Sequence, residues 1–258
     1  MGIGTVTIHS KNTANFNVYS IKEMQVIVDH FVKYPLITAK YSDFLLFKQA
    51  FEIIKTKGHL TNKGLLKIVG LKSVINLGLS DKLKAAFPNF EPVRRPEFKN
   101  IIIPNPFWVA GFISGDGSFY FNIRTKTSPV SSNIWRIVSL ILKVNLHIRD
   151  KEVVQAIASY FSLLNQKSSN TLNSYSIFIQ TQSVSFTIRK FTDIVNTVIP
   201  FFDLYPILGV KSLDFADFKK VAEMVKNKEH LTNSGFEHIK KIDSTMNLRR
   251  IPEVSDTK

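Results

Sequence analysis

One acidic side chain stands at the end of an unusually apolar run: Asp116, in Asn105-Pro-Phe-Trp-Val-Ala-Gly-Phe-Ile-Ser-Gly-Asp-Gly-Ser-Phe119. Pro106 suits the first turn of a helix, where its missing N–H would be unpaired anyway. Apolar and small residues follow, and polarity reverses at Ser114-Gly115-Asp116-Gly117. A helix of this pattern buries nearly all its surface and ends by presenting one carboxylate. Gly111 and Gly115 fall one above the other on its face, which permits close approach by a second helix. Taken alone, the same residues also describe a buried helix closed by an Asp-Gly turn.

A second set of residues suits nucleic acid. From Ser118 the sequence alternates, with Phe119, Phe121 and Ile123 on one face and Ser118, Tyr120, Asn122, Arg124 and Lys126 on the other. A longer alternating stretch, 138–148, puts Ser139, Ile141, Lys143, Asn145 and His147 opposite an apolar face of Val138, Leu140, Leu142, Val144, Leu146 and Ile148. Arg and Lys suit guanine edges and Asn suits adenine. A merely solvated sheet face has much the same composition.

The string Val109-Ala-Gly-Phe-Ile-Ser-Gly-Asp-Gly117 resembles the nine-residue signature of the LAGLIDADG homing endonucleases and maturases, with Ser114 where the name has its first Asp. Trp108 before it and Ser118-Phe119 after it resemble the second motif of the two-motif members of fungal mitochondrial introns. The resemblance implies an α+β fold of αββαββα units, with an antiparallel sheet covered by helices on one face. It implies an enzyme: Mg²⁺-dependent hydrolysis of phosphodiester bonds in double-stranded DNA at an exon junction, in a mitochondrial setting. Asp116 matches the metal-binding acid, with the Gly115 carbonyl beside it. Lys211 and Lys40 match the basic residue near the cleft. Ser118, Tyr120, Asn122, Arg124, Lys126, Ser139, Ile141, Lys143 and Asn145 would face DNA, as would Thr5, Thr7, His9, Lys11, Asn15 and Asn17 in the first half. Some relatives are instead RNA maturases that assist splicing of their own intron RNA, and a degenerate remnant would bind DNA without cutting it.

Bulk properties agree with a polyanion partner. The 258 residues carry a net charge of +14, and each neutralised phosphate releases counterions. There are 21 Phe and no Cys, which excludes disulfides and cysteinyl zinc sites. No apolar run is long enough to span a membrane, and neither a signal peptide nor myristoylation is expected at the N-terminus. His clusters, a nucleophile triad and a P-loop are not evident.

The elements that must position these residues show a repeat. Tyr34-Pro35-Leu36 recurs as Tyr205-Pro206-Ile207, Lys40 as Lys211, Asp43-Phe44 as Asp214-Phe215, Phe47-Lys48 as Phe218-Lys219, and His59-Leu-Thr-Asn62 as His230-Leu-Thr-Asn233, with Gly64 as Gly235. Every pair is separated by 171 positions (205 − 34, 230 − 59) without a gap. The same offset places no counterpart of Asp116 within the chain. The expected organisation is therefore an N-terminal half lacking its first signature helix and strand pair over 1–87, a Pro-punctuated linker over 88–104, a complete half over 105–250 and a frayed tail over 251–258. An unpaired signature helix over 106–117 is expected to self-associate.

Further elements follow from local pattern. Residues 5–10 read as a strand, 11–15 as a turn and 16–19 as a strand. Helices are expected from Ser20 to Tyr34, after a cap at Ser42 or Asp43 (with Phe44, Phe47, Phe51 and Ile54 inward), and after Thr61-Asn62. In the second half a turn is expected over 127–133, a helix from Lys151, a polar loop over 166–172, a hairpin of 175–181 with 184–189, and helices near 190–202, 212–228 and 232–245.

Overall fold

The computed structural model describes residues 2–10, 13–97, 101–127, 134–168 and 175–250. The chain divides into two compact units, Met1–Ile101 and Ile102–Lys258.

In the first unit β1 (Thr5–Ser10) pairs antiparallel with β2 (Thr13–Asn17), Thr5 opposite Asn17 and Thr7 opposite Asn15. The second strand thus begins within the segment expected to turn; Lys11 lies outside the described residues. Four helices follow: α1 (Ile21–Lys33), α2 (Lys40–Lys55), α3 (Asn62–Lys72) and α4 (Asp81–Ala86). Ser20 caps α1 by accepting from the Glu23 N–H, and Tyr34 ends it ahead of Pro35. Helix α2 starts at Lys40, two residues before the expected cap; Ala39 at its N-cap has no polar side chain to offer, and the Thr38 hydroxyl accepts from the Lys40 N–H at 3.2 Å. Ser42 and Asp43 are buried instead. The Ser42 hydroxyl donates to the Pro96 carbonyl and Arg95 donates to Asp43 at 2.6 Å. Residues ahead of 98, read from their prolines as linker, are thereby tied to α2 within the first unit. Phe44 and Phe51 are buried, whereas Phe47 is 38% exposed on an apolar groove that also holds Phe31.

The second unit opens with α5 (Pro106–Asp116), capped by the Asn105 side chain. It continues through β3 (Gly117–Thr127), β4 (Ile134–His147), α6 (Lys151–Ser168), β5 (Tyr175–Ile179) and β6 (Ser183–Ile188). The expected turn over 127–133 lies, apart from Thr127, outside the described residues. Helix α6 runs through Ser168 and takes in the start of the segment read as loop. After β6 the chain enters α7 (Phe191–Asp193), a π-helical turn over Ile194–Val198 and α8 (Ile199–Leu204). Pro200 has no N–H to donate and the helix widens just before it. Helices α9 (Lys211–Lys226) and α10 (Asn233–Asp243) complete the unit.

The four strands form one antiparallel sheet in the order β3-β4-β6-β5. Its apolar face carries Phe119, Leu140, Leu142, Val144 and Phe186, all at most 1% exposed. Phe119 enters a cluster with Phe202, Phe215 and Phe218 at ring separations of 5.1–5.4 Å. Phe161 of α6 stacks on Phe186. This is the α+β arrangement expected, a sheet with helices on its apolar face.

The repeat persists in three dimensions. The bounds of α2 and α9, and of α3 and α10, are offset by 171 (211 − 40, 233 − 62). Left-handed Lys57 and Asn76 recur as Lys228 and Asn247. Gly64 and Gly235 are required for one reason: a Cβ there would strike the carbonyl oxygen of Gly58 or Glu229.

Two expectations need correction. Helix α5 is buried on one side only: Val109, Ala110 and Ile113 face the core, while Phe107 is 67% exposed. Its Gly111 and Gly115 have no atom within 4 Å of where a Cβ would stand. Ile141 was placed on the DNA face by alternation but is fully buried. It lies on an interior strand directly opposite Tyr120, and an apolar side chain at the middle of the sheet is covered by its neighbours rather than presented to solvent.

Candidate active site and nucleic-acid interface

Asp116 is the last residue of α5 and is exposed. The chain passes from helix to strand without a loop because Gly117 follows. A Cβ on Gly117 would lie 2.7 Å from the Ile113 carbonyl oxygen, so no other residue fits. The helix end is closed by Lys211, the first residue of α9. Its Nζ donates to the carbonyl oxygens of Ile113 (3.3 Å), Gly115 (2.9 Å) and Gly117. Burial lowers the Lys211 pKa, opposed by the nearby Asp116 and Asp214 carboxylates. A second tie is Ser114, whose hydroxyl donates to the Ala110 carbonyl at 2.7 Å and accepts from the Leu208 N–H at 3.0 Å.

Behind Lys211 lies a network that sequence reasoning left unassigned. Asp214, 6% exposed, accepts from the Asn247 N–H at 2.9 Å and from Arg250 at 2.8 Å. Arg250 also binds Asp217 at 2.6 Å. The Asn247 side-chain amide donates to the Phe119 carbonyl at 3.2 Å. The repeat offset signals Asp214 as the twin of Asp43 and Asn247 as the twin of Asn76. Nothing in the sequence signals Arg250, because its contacts are set by the return of the chain after α10. An open cleft of about 730 Å³ borders this region, lined by Gly117, Ser118, Tyr120, Lys143, Lys211 and Asp214 among others.

Lys40 occupies the matching position in the first unit with different partners. Its Nζ donates to the Asn76 side chain at 2.8 Å and lies 3.7 Å from Asp43. Among the described residues no three His, Cys, Asp or Glu side chains are grouped to hold a metal ion. The oxygen donors at the helix end are the Asp116 carboxylate and the Gly115 carbonyl, the latter already accepting from Lys211.

The polar face of the sheet is largely as the alternation requires. Ser118, Arg124 and Lys126 are exposed and Tyr120 and Asn122 half-buried on β3; on β4 Ser139 and Lys143 are half-buried and Asn145 is exposed. Ser118 pairs with Lys143 and Asn122 with Ser139, so these groups share one surface. Trp135, 64% exposed and opposite Lys126, belongs to the same surface and was missed. In the first unit Thr5, Thr7 and His9 are exposed on the β1–β2 hairpin, with Asn17 donating to the Thr7 hydroxyl at 3.0 Å. No described helix is long and apolar enough to cross a membrane.

Comparison with known proteins matches this arrangement. The family model for LAGLIDADG endonuclease matches residues 1–51 and 109–222. The chain is 35% identical over 241 residues to the probable intron-encoded endonuclease 3 of Neurospora crassa, covering 92% of this chain and 43% of that protein. It is 32% identical to the probable intron-encoded endonuclease 2 of the same fungus, covering 93% of this chain and 51% of that protein. The chain thus spans about half the length of these relatives. Among solved structures, the LAGLIDADG meganuclease I-CpaMI bound to uncleaved DNA is 44% identical with a TM-score of 0.85, covering 95% of this chain and 81% of that one. The I-SmaMI LAGLIDADG homing endonuclease bound to cleaved DNA is 37% identical with a TM-score of 0.87, covering 97% of this chain and 80% of that one. The chain belongs to the LAGLIDADG endonuclease family.

Proposed function

We propose that this chain is an intron-homing endonuclease of fungal mitochondria that hydrolyses phosphodiester bonds in double-stranded DNA with Mg²⁺. One observation carries the reading: an exposed carboxylate, Asp116, sits at the first residue before a strand whose alternate side chains form a polar, basic surface. A twisted antiparallel ribbon of this kind fits the DNA major groove. Duplex laid on Ser118, Asn122, Arg124 and Lys143 brings a phosphate to Asp116. Solved relatives named as bound to uncleaved and cleaved DNA support the same reading.

Within it, Arg124 and Lys143 read guanine edges and Asn122 reads adenine. Thr5, Thr7 and His9 supply the corresponding contacts in the first unit. Mg²⁺ is held in proteins by one or two carboxylates together with substrate phosphates, and an exposed Asp116 carboxylate fits that description. Mg²⁺ held there by Asp116 would supply an activated water and stabilise the leaving oxygen. Lys211 holds the helix end that aims Asp116 and adds positive charge beside the phosphate. Lys40 offers an ammonium at the matching position. Because an ammonium has donors and no acceptor, neither lysine substitutes for a metal-binding acid. A second strand is cut only when a second acid is brought to it, as by another copy paired through α5.

The test is a supercoiled plasmid carrying an intron-less exon junction, incubated with the chain and Mg²⁺ and scored as supercoiled, nicked or linear. Nicked or linear product that disappears in Asp116→Asn supports the reading. Binding to duplex with no product under any metal makes the chain a DNA-binding remnant. Preferential binding to the intron RNA makes it a maturase.

A further inference from the structure

Two leucines are the most exposed large apolar residues among those described: Leu77 at 101% and Leu248 at 104%. They are separated by the repeat offset, 171 (248 − 77). Each follows an asparagine in the left-handed region, Asn76 at φ 52° and Asn247 at φ 56°. Asn tolerates this conformation better than most residues, but it is uncommon outside glycine. A single exposed leucine is ordinary on a protein surface. The same leucine at the crest of the same left-handed turn in both copies of a duplication is a different matter, because packing inside neither unit accounts for it.

The turn in the second unit is held firmly. The Asn247 N–H donates to buried Asp214 and its side-chain amide donates to the Phe119 carbonyl of β3. Leu248 therefore projects from a rigid base attached to the strand that carries the polar face. It borders two clefts at once. One, of about 730 Å³, contains Gly117, Ser118 and Lys211; the other, of about 490 Å³, contains Asn122 and Arg124, and Tyr120, Asn247 and Leu248 border both. Val210, 69% exposed, lines the larger cleft as well, but Leu248 is the more exposed apolar tip and borders both clefts, flanked by the groups suited to phosphates and base edges.

We infer that Leu248 is an apolar wedge that packs against duplex DNA at the base step beside Gly117–Ser118, with Leu77 its counterpart in the first unit. Proteins that kink DNA from the minor groove insert apolar side chains, leucine among them, between base steps. Placed there, Leu248 would leave water only in the complex and would fix where the duplex bends over the strand face. The inference rests on the DNA-binding reading above and adds a positioning residue to it.

The experiment uses the full chain and a duplex it selects from a random library, with 2-aminopurine placed at each position in turn. Leu248→Ala should fold as the parent does, since the side chain touches nothing. Expected are binding weakened about tenfold, an unchanged salt slope because no phosphate contact is lost, and disappearance of the 2-aminopurine signal at one step. Leu248→Phe should restore both. Equal affinity and an equal fluorescence profile in Leu248→Ala overturn the wedge, as does weaker binding accompanied by a smaller salt slope. If Arg124→Ala weakens binding while Leu248→Ala does not, the wedge falls and the DNA-binding reading stands. If the parent chain binds no duplex, the reading itself falls and the wedge with it.

Discussion

The ammonium of Lys211 donates to the carbonyl oxygens of Ile113, Gly115 and Gly117, so the residue that opens α9 closes the helix that ends in Asp116. Removing it takes a donor from three carbonyls at the helix–strand junction, of which Ile113 keeps the Gly117 N–H. Lys211→Met should destabilise the second unit by about 1–3 kcal/mol and speed amide exchange at 117–119. Lys211→Arg should recover only part of this, because a planar guanidinium cannot converge on three oxygens as an ammonium does. Exchange rates unchanged in both variants would contradict the clamp.

Asp116→Asn is close to isosteric and removes one cleft charge. It should abolish cleavage or nicking while duplex affinity stays within about twofold, since a carboxylate opposes rather than assists phosphate binding. Plasmid cleavage and fluorescence anisotropy measured on the same preparation separate the two effects.

Arg124→Ala and Lys143→Ala test the strand face. Each should relax base preference at one position by about 1–3 kcal/mol, the worth of a bidentate base contact. The parent chain should bind duplex with steep salt dependence, in keeping with its +14 charge. Affinity that is the same at low and high salt would refute the interface.

Asp43 provides a pH test in the first unit. Burial acts to raise its pKa, but hydrogen bonding and charge from Arg95, with help from Asn76 and Lys40, bring it below the usual 3.8. A carboxylate depressed in the folded state contributes stability that is fully present above its unfolded value and is lost as pH falls through the folded one. In the parent this contribution is therefore complete above the ordinary Asp value and fades only as pH falls below it. In Arg95→Met the partly buried carboxyl loses its main partner, its folded pKa rises, and acid unfolding should begin at higher pH. Circular dichroism across an acid titration of both proteins measures the difference.

The open face of α5 should pair with another copy. Gly111 and Gly115 have free space above them, and Phe107 is exposed. Sedimentation should show concentration-dependent self-association. Gly111→Ala should raise helix stability by about 1 kcal/mol because nothing obstructs the added methyl, while Gly111→Leu should keep the fold and weaken pairing. A parent that stays monomeric at high concentration would rule this out.

Much of the site was legible from local chemistry alone. The apolar run ending in Gly115-Asp116-Gly117 specified a helix that delivers a carboxylate. Strict alternation from Ser118 specified which β3 side chains leave the core, since successive residues on a strand must point to opposite faces. The 171-residue offset paired Lys211 with Lys40 and Asp214 with Asp43; the left-handed turns at Asn76 and Asn247 emerged only in the structure.

Tertiary structure decided what depends on residues far apart in the chain. Alternation put Ile141 on the outer face, but an interior strand position opposite Tyr120 buried it. Equal placement in the repeat suggested equal roles for Lys40 and Lys211, yet one ammonium meets the Asn76 side chain and the other three carbonyls at the junction of α5 and β3. The prolines over 88–104 suggested a linker, but not that Arg95 within it donates to Asp43 across 52 positions. Periodicity reports which face a side chain occupies; it carries no information about which distant element covers that face or which distant oxygen a charged tip will find.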